Sequence, residues 1–469
     1  MNLNNVDPQN QAKVIPLDQD DRQHEVMLND LQGNILKGHG RHYTAHIFIK
    51  FGKDPTQART WVKDFSKKIT TAKEPIDRRK ALDSGKQWKE TTFAGFVLSA
   101  KGYQALDFKK NQIPSDPKFR KGMKASRTDL HDRPSQEWDE PYRDEIHAMI
   151  ILAHKDEEQL RVERRQLRDS IKHTKGALEE ITTEKGRVLP PDQHGNIVEH
   201  FGYVDGRSQP LFLKEDIESQ RRREGIDQYD PSTPLNLVLA SDPNGCKTNN
   251  SFGSYFVFRK LEQDVKGFKK TEESLAKTLG LKGDKEKELA GALVVGRFED
   301  GTPVTLQYGE GMDQPVFNNF NYQNDSNGSK CPFQGHIRKV NPRSVSTKSR
   351  IEEREHRIAR RGITYGKRKK DMEDRPENGV GLLFMCFQAD IAKQFEHLQR
   401  MANDTTNGLD PIIGQTSDKK TPLQQQWPCE WAGKNRKTQP FDFQGFVTLK
   451  GGEYFFAPSI SFLQNIDKI

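Results

Sequence analysis

The chain has 469 residues, enough for two domains with substantial cores, and 33% of them are hydrophobic while 30% are charged. The net charge of +8 is spread over segments of mixed sign, such as residues 161–165 and 351–357, without a nucleic-acid-binding motif, which argues against nucleic acid as a partner. No apolar stretch approaches the roughly 20 residues needed to span a bilayer, and the four scattered cysteines form no Cys-x-x-Cys pair that would indicate zinc or a redox dithiol.

Residues 1–25 are polar and rich in Asn, Asp and Gln, and we expect a mobile tail there. They contain no basic or twin-arginine export signal and no apolar run. The sequence therefore predicts a cytoplasmic protein with free thiols and no membrane contact.

Residues 26–234 have the pattern of a ferredoxin-like domain. Runs of β-branched and aromatic residues predict strands at 43–51, 92–98, 145–153 and 197–201. Apolar residues at helical spacing predict a helix over 56–68, and the charged segment 156–173 predicts a second one. The resulting order βαββαβ, with an antiparallel sheet, is the ferredoxin-like plan.

A looser version of the same plan recurs over residues 235–469. Strands are predicted at 253–259, 303–306 and 381–388, helices within 261–293 and over 391–401, and a hairpin at 446–456 around Gly451-Gly452. The polar segments 344–357, 367–378 and 405–427 are expected to be surface loops. The predicted fold class is α+β, with two ferredoxin-like domains.

Three motifs follow one another along the chain. Gly202-x-x-Asp205-Gly206 is a tight turn around a carboxylate, residues 331–343 hold His336 between prolines and cationic residues, and residues 360–366 begin with Arg360. A histidine on a constrained segment near cations suits haem, because iron binds a neutral imidazole and the propionates need positive charge. Taken alone, that segment fits an ordinary histidine in a basic loop better than a haem ligand.

In register, the three motifs resemble those of the dye-decolourising peroxidases, a family of haem enzymes. The resemblance runs from about residue 31, in the segment 31–36, to the carboxyl end and includes residues 445–459. It implies two ferredoxin-like halves with one haem b per chain, held mainly by the second half. It also implies oxidation of organic donors, including dyes and phenolic compounds, by hydrogen peroxide through a ferryl intermediate.

The resemblance assigns His336 as the axial iron ligand. The second ring nitrogen of such a ligand needs an acceptor, and Asp390 matches the family position for that partner, although it also suits the N-cap of the following helix. Arg343 matches the family position for binding the haem propionates. Arg338 and Arg207 are further candidates, and surface ion pairs are the alternative for all three.

On the peroxide side, Asp205 is the predicted acid/base and Arg360 the predicted stabiliser of charge developing on the breaking O–O bond. The neighbouring Arg361 is a weaker candidate. Leu382 and Phe384 match positions that line the family's pocket, and could equally be core residues.

Bulky donors cannot touch a buried haem edge, and the resemblance implies that a surface Tyr or Trp passes electrons to the haem instead. Tyr365 matches a position used for this in some family members, and Trp431 is a looser candidate. The alternative for Tyr365 is a packed ring with its hydroxyl in water. A haem-binding or iron-release protein on the same scaffold remains the alternative function, and a basic interaction module without a cofactor is a third. The sequence leaves the oligomeric state and the physiological donor open.

Overall fold

The computed structural model describes residues 2–246, 250–311, 317–344, 346–417, 420–434 and 437–469. Residues 2–25 contain a short hairpin of β1 (Val6–Asp7) and β2 (Asn10–Val14), and α1 (Arg22–Asp30) begins within them. Leu17 is buried, and its backbone N–H donates to the carbonyl of Phe212 at 2.9 Å. The prediction of a free tail is therefore wrong, because a few apolar residues anchor this polar segment to the body.

The amino-terminal half is ferredoxin-like, and its sheet has the antiparallel order β6-β3-β5-β4. Its helices begin at acidic caps: the side chain of Asp54 accepts the Gln57 N–H, and that of Asp156 accepts the Gln159 N–H. The elements are β3 (Tyr43–Phe51), α2 (Pro55–Ser66), α3 (Lys73–Asp83), β4 (Phe93–Leu98), α4 (Ala100–Ala105), α5 (Pro117–Lys121), β5 (Ala148–His154), α6 (Glu157–Lys172) and β6 (Leu178–Arg187).

The carboxyl-terminal half repeats the plan with long insertions between its strands. Its elements are α7 (Lys214–Glu224), β7 (Ala240–Ser241), β8 (Phe252–Gln263), α8 (Val265–Thr278), α9 (Asp284–Val295), α10 (His336–Val340), α11 (Thr347–Arg354), β9 (Ala359–Arg360), β10 (Ile363–Tyr365), β11 (Gly381–Gln388), α12 (Phe395–Asn403), β12 (Gln426–Pro428), β13 (Thr438–Pro440), β14 (Val447–Ala457) and α13 (Ile460–Asn465). β8 lies between β14 and β11, and β11 pairs with β9 and β10 on its other edge. The predicted α+β class with two ferredoxin-like sheets is confirmed.

The two sheets join edge to edge and close into a barrel. One junction pairs Phe456 of β14 with Leu98 of β4, and the other pairs Tyr365 of β10 with Gly186 of β6. Because β8 also pairs with β11, the strands form a closed ring, which leaves none of the ring's strands as an open edge.

Strand β11 shows how the barrel positions the site. Leu383 and Met385 pack with Phe256 and Phe258 in one apolar core. Leu382 and Phe384, on the opposite face of the same strand, line a cavity instead. The site therefore lies on the side of β11 that faces away from this core.

Three predicted strands are wrong. The fourth strand of the first half is β6, not residues 197–201, because its charged residues hide the β-branched ones from the sequence pattern. Residues 303–306 form a turn with only an isolated bridge from Arg297 to Pro303. β14 runs unbroken through the glycines expected to turn a hairpin, and a register shift between Leu449 and Gly451 accommodates them.

In the described ranges, the helices are too short or too polar for any of them to cross a membrane.

Candidate active site

A cavity of about 330 Å³ lies beside β11 and brings together most of the residues predicted from the sequence. Its walls come from the segment that follows β6, from α10, from the α11–β9 connection and from β11. The predicted residues that line it are His336, Arg343, Arg207, Asp205, Arg360, Leu382 and Phe384. Segments more than 100 residues apart in the chain therefore meet at one place.

His336 is the first residue of α10, directly after Gly335. Its Nδ1 lies 2.9 Å from Oδ2 of Asp410, a fully buried carboxylate. The other oxygen of Asp410 accepts the backbone N–H groups of Ile412 and Ile413 at 2.8 and 3.0 Å. With Nδ1 donating to this fixed carboxylate, Nε2 is the nitrogen left for a ligand, and the carboxylate increases its donor strength.

Asp390 was the residue predicted to hold His336, and that prediction is wrong. Asp390 Oδ1 instead accepts the backbone N–H of Lys393 at 2.8 Å, at the start of the turn that leads into α12. This is the capping role that the sequence also allowed. Asp410 lies in a segment with no apolar periodicity, so only the folded chain brings it against His336.

Asp205 lies in a tight turn between β6 and α7. Gly206 has φ of +79°, a left-handed conformation that glycine adopts without steric cost, and its N–H donates to Asp205 Oδ1 at 2.6 Å. The N–H of Asp205 itself donates to the carbonyl of Ile197 at 3.0 Å. The turn is thus held by the backbone, while the carboxylate remains 30% exposed at the cavity.

Arg360 reaches the same turn from β9. Its guanidinium Nη1 lies 3.7 Å from Asp205 Oδ1, and Nη2 donates to the carbonyl of Arg207. Its neighbour Arg361 is partly buried and donates to the carbonyls of Asn34 and Ile35. Of these two neighbours, Arg360 is the one that lines the cavity, and Arg361 is structural.

A cluster of four arginines forms another part of the cavity wall. Arg343 donates to Ser208 Oγ at 2.7 Å and is stacked between aromatic rings, and Arg297 donates to the same oxygen at 3.2 Å. Arg207 donates to Asn196 at 2.8 Å, and its Nε is buried without a partner among the described residues. The fourth member, Arg357, donates to backbone and hydroxyl oxygens. We call these four residues the arginine cluster.

Among the described residues, the arginine cluster has only neutral hydrogen-bond partners. Within the described chain, no carboxylate forms an ion pair with any of its four members. Burial lowers the pKa of Arg297 to about 9, and it also lowers the pKa values of Arg343 and Arg207. Ser208 and Arg343 both have positive φ, 59° and 51°, a strained backbone of the kind found at functional sites. Such cations would be stabilised by an anionic ligand, and carboxylates suit guanidinium groups well.

Arg338, predicted to contact the propionates, does not reach the cavity. Its guanidinium forms a buried ion pair with Asp325 at 2.7 Å and also donates to the carbonyls of Cys331 and Asp325. It is stacked against Tyr322 and Phe333. The prediction for Arg338 is therefore wrong, since its donors already hold the loop before His336.

Neither predicted electron-transfer residue lies in the cavity wall. Tyr365 belongs to the barrel core containing Phe256, and its hydroxyl is buried with no hydrogen-bond partner among the described residues. The expectation of a wet hydroxyl is therefore wrong. Trp431 is partly buried, and its indole N–H donates to the carbonyl of Val304 at 2.8 Å.

Sequence reasoning missed three residues of the site: Asp410, Arg297 and Arg357. Arg357 lies in a stretch rich in other charges, and Arg297 follows an apolar run without a recognisable motif, so the sequence did not distinguish them. A clue to Arg357 was its position three residues before Arg360. Asp410 had no local signal apart from the Pro411 that follows it.

Together with the fold, comparison with known proteins defines the chain as a haem-dependent peroxidase. Residues 30–190 match the family described as "DyP dimeric alpha+beta barrel domain", and residues 236–418 match "Dyp-type peroxidase, C-terminal". The multifunctional dye peroxidase DyP2 of Amycolatopsis sp. is 41% identical over 459 residues, covering 94% of this chain and 96% of that protein.

Solved structures agree with this assignment. The crystal structure of a DyP-type peroxidase from Anabaena sp. superimposes with a TM-score of 0.89 at 40% identity, covering 99% of this chain and 98% of that one. DyP2 from Amycolatopsis gives a TM-score of 0.88 at 40% identity, covering 96% of this chain and 99% of that one. The chain belongs to the dye-decolourising peroxidase family, whose members are haem enzymes.

Proposed function

We propose that this peroxidase binds one haem b per chain in the cavity and uses hydrogen peroxide to oxidise organic donors, including dyes and phenolic compounds. The observation that carries the proposal is the meeting of three groups in one cavity. These are the His336–Asp410 pair, the Asp205–Arg360 pair and the arginine cluster.

The residues present fit a haem. His336 offers Nε2 to the iron, because its Nδ1 is engaged by Asp410. Arg343 and Arg207, together with Arg297, offer unpaired positive charge to the two propionates. Leu382 and Phe384 give the cavity an apolar wall for the macrocycle. When bound, haem iron supplies the one-electron chemistry that amino-acid side chains lack.

Asp205 and Arg360 act on the peroxide. Asp205 takes the proton from the inner peroxide oxygen and returns it to the outer oxygen, so that water can leave. Its partial exposure keeps the carboxylate accessible to a small substrate. The guanidinium of Arg360 stabilises the negative charge that develops as the O–O bond breaks.

The test uses the chain loaded with haem b, mixed with hydrogen peroxide and an anthraquinone dye. We expect peroxide-dependent loss of dye colour in the wild type, and loss of most of this activity in Asp205→Asn with the haem still bound. If the wild type bound haem but left the dye unoxidised, the alternative of haem binding or iron release would replace the peroxidase. Native activity of Asp205→Asn would transfer the proton role to another group.

The proposed partners are hydrogen peroxide and organic electron donors, with no role for nucleic acid or a membrane. The cytoplasmic location stays a prediction.

A further inference from the structure

Tyr203 lies in the same turn as Asp205, two residues earlier, and the active-site roles above leave it unused. It is 6% exposed and lines the cavity. Its hydroxyl donates to Oε1 of Glu272, on α8, at 2.5 Å. A phenol at the wall of the cavity is thus bonded directly to a buried carboxylate, which is itself only 8% exposed.

A series of ion pairs extends from Glu272 towards the protein surface. The other oxygen of Glu272 lies 2.9 Å from Lys269 Nζ, and the same ammonium lies 2.6 Å from Glu299. The Glu299 side chain is 49% exposed. A continuous polar chain therefore connects Tyr203 at the cavity with the protein surface.

The packing of α9 makes room for the pair. Gly291 lies inside α9, where a glycine costs about 1 kcal/mol relative to alanine. A Cβ at this position would be 2.0 Å from the Tyr203 hydroxyl oxygen and 2.4 Å from Glu272 Oε1. Any side chain there would displace the phenol or the carboxylate, so the glycine permits this hydrogen bond.

The bond has a chemical use in a peroxidase. A tyrosine that loses an electron becomes a strong acid, and its oxidation is easy only where a base receives the proton. Glu272 is such a base, and burial raises the pKa of its carboxyl group and so increases its basicity. Tyr365 has no such acceptor: its buried hydroxyl lacks a hydrogen-bond partner in the described part of the chain.

We propose that Tyr203 is a redox-active tyrosine, which gives one electron to the peroxide-oxidised cofactor and its phenolic proton to Glu272. The O–H bond of Tyr203 breaks and an O–H bond forms on Glu272, which leaves a neutral tyrosyl radical and a protonated carboxyl. An organic donor too large for the cavity then supplies one electron near Lys269 and Glu299, and the proton returns from Glu272 to the phenol. This inference rests on the proposed function, because hydrogen peroxide is the oxidant.

The experiment is freeze-quench electron paramagnetic resonance on the haem-loaded chain after mixing with one equivalent of hydrogen peroxide. Protein grown with ring-deuterated tyrosine identifies a tyrosyl signal by its narrower lines. We expect such a signal in the wild type, its loss in Tyr203→Phe, and its retention in the matched control Tyr365→Phe. A tyrosyl signal that survives in Tyr203→Phe, or that is absent from a wild type reactive with peroxide, overturns the proposal.

Glu272→Gln provides a second measurement that does not depend on the folding of Tyr203→Phe. The amide of Gln cannot accept the phenolic proton, so the yield of tyrosyl radical should fall several-fold in Glu272→Gln. An unchanged yield would rule out Glu272 as the proton acceptor.

The two proposals fail differently. If the haem spectrum of the wild type did not respond to peroxide, the proposed function would be wrong. A normal response without the Tyr203 radical leaves the proposed function intact and removes only this inference.

Discussion

Two polar pairs in the same cavity are built in different ways. In the His336–Asp410 pair, the carboxylate is fully buried, two backbone N–H groups hold one oxygen, and the imidazole lies 2.9 Å from the other. In the Asp205–Arg360 pair, the two side chains are 30% and 34% exposed and lie 3.7 Å apart, beyond hydrogen-bonding distance. The first pair is fixed, and the second leaves room for a small molecule.

The difference teaches what each role requires. An iron ligand gains from a rigid, buried acceptor, which sets its tautomer and orientation. An acid/base group must meet its substrate and change protonation state, so it cannot be enclosed in permanent hydrogen bonds. We therefore expect changes at the His336 pair to affect cofactor retention, and changes at the Asp205 pair to affect the reaction with peroxide.

The largest expected effect is on His336. His336→Ala should abolish stable haem retention, because no other histidine in the cavity wall has a comparable carboxylate partner among the described residues. His356→Ala is the matched control: His356 also lines the cavity, but its Nδ1 is bonded to the carbonyl of Lys393. Soret absorbance per protein after purification measures the result. Equal Soret intensity in His336→Ala and wild type would contradict the role of His336 in retaining haem.

Arg360→Leu should leave haem bound and slow the reaction with peroxide by about 1,000-fold, the upper range for removal of one charge-stabilising donor. Stopped-flow recording of the Soret change against peroxide concentration gives the rate constant. Arg360→Lys keeps the charge but loses the planar guanidinium, so its rate constant should lie between those of the wild type and Arg360→Leu. A loss smaller than about tenfold, or 1.4 kcal/mol of barrier, would be too small for the assigned role.

Acid should lower the free energy of unfolding through His200, which lies five residues before Asp205. His200 is fully buried, its Nε2 bonds to the carbonyl of Tyr365 at 2.8 Å, and burial lowers its pKa to about 4. The unfolded chain takes up this proton near pH 6.5 and the folded chain only near pH 4. Stability is therefore lost as the pH falls between these values, by about 3 kcal/mol for this group.

Urea unfolding of the haem-free chain at several pH values tests this. His200→Gln should show a smaller loss of stability from pH 6.5 to pH 4 than the wild type, because its amide can donate to the Tyr365 carbonyl and accept from Arg368 Nε as the ring does. His39 and His46, whose pKa values are also lowered by burial, contribute equally to both proteins and cancel in the difference. The same pH dependence in both proteins would show that His200 is not the titrating group.

The smallest expected effect distinguishes Asp410, the observed partner of His336, from Asp390, the partner predicted from the sequence. Asp410→Asn should weaken haem retention about tenfold, as for other partners of metal-ligating histidines, and should raise the reduction potential of the iron. Asp390→Asn should change neither property, since Asp390 only caps the turn before α12. Transfer of haem to a scavenging protein gives the dissociation rates. A larger effect at Asp390 than at Asp410 would reverse the assignment.

Local signals accounted for much of the fold and of the site. The roughly alternating run at 43–51 and the continuous apolar run at 381–388 coincide with β3 and β11, because a strand with buried residues has a clear pattern. β6 was missed because many of its residues are charged and part of its surface is exposed. The three motifs identified His336, Arg360 and Asp205 as site residues, since each lies in a turn or short element with its own sequence signature. The structure brings all three to one cavity.

The sequence by itself determined the fold class, the family and the residues expected to act on iron and peroxide, because these depend on short stretches of consecutive residues. Tertiary structure alone decided the partners. Asp410 lies 74 residues from His336, Arg297 meets Arg343 through Ser208, and Tyr203 reaches Glu272 across 69 residues. Contacts between distant segments depend on how the barrel closes and how the helices pack on it. A local pattern of residues therefore does not predict them.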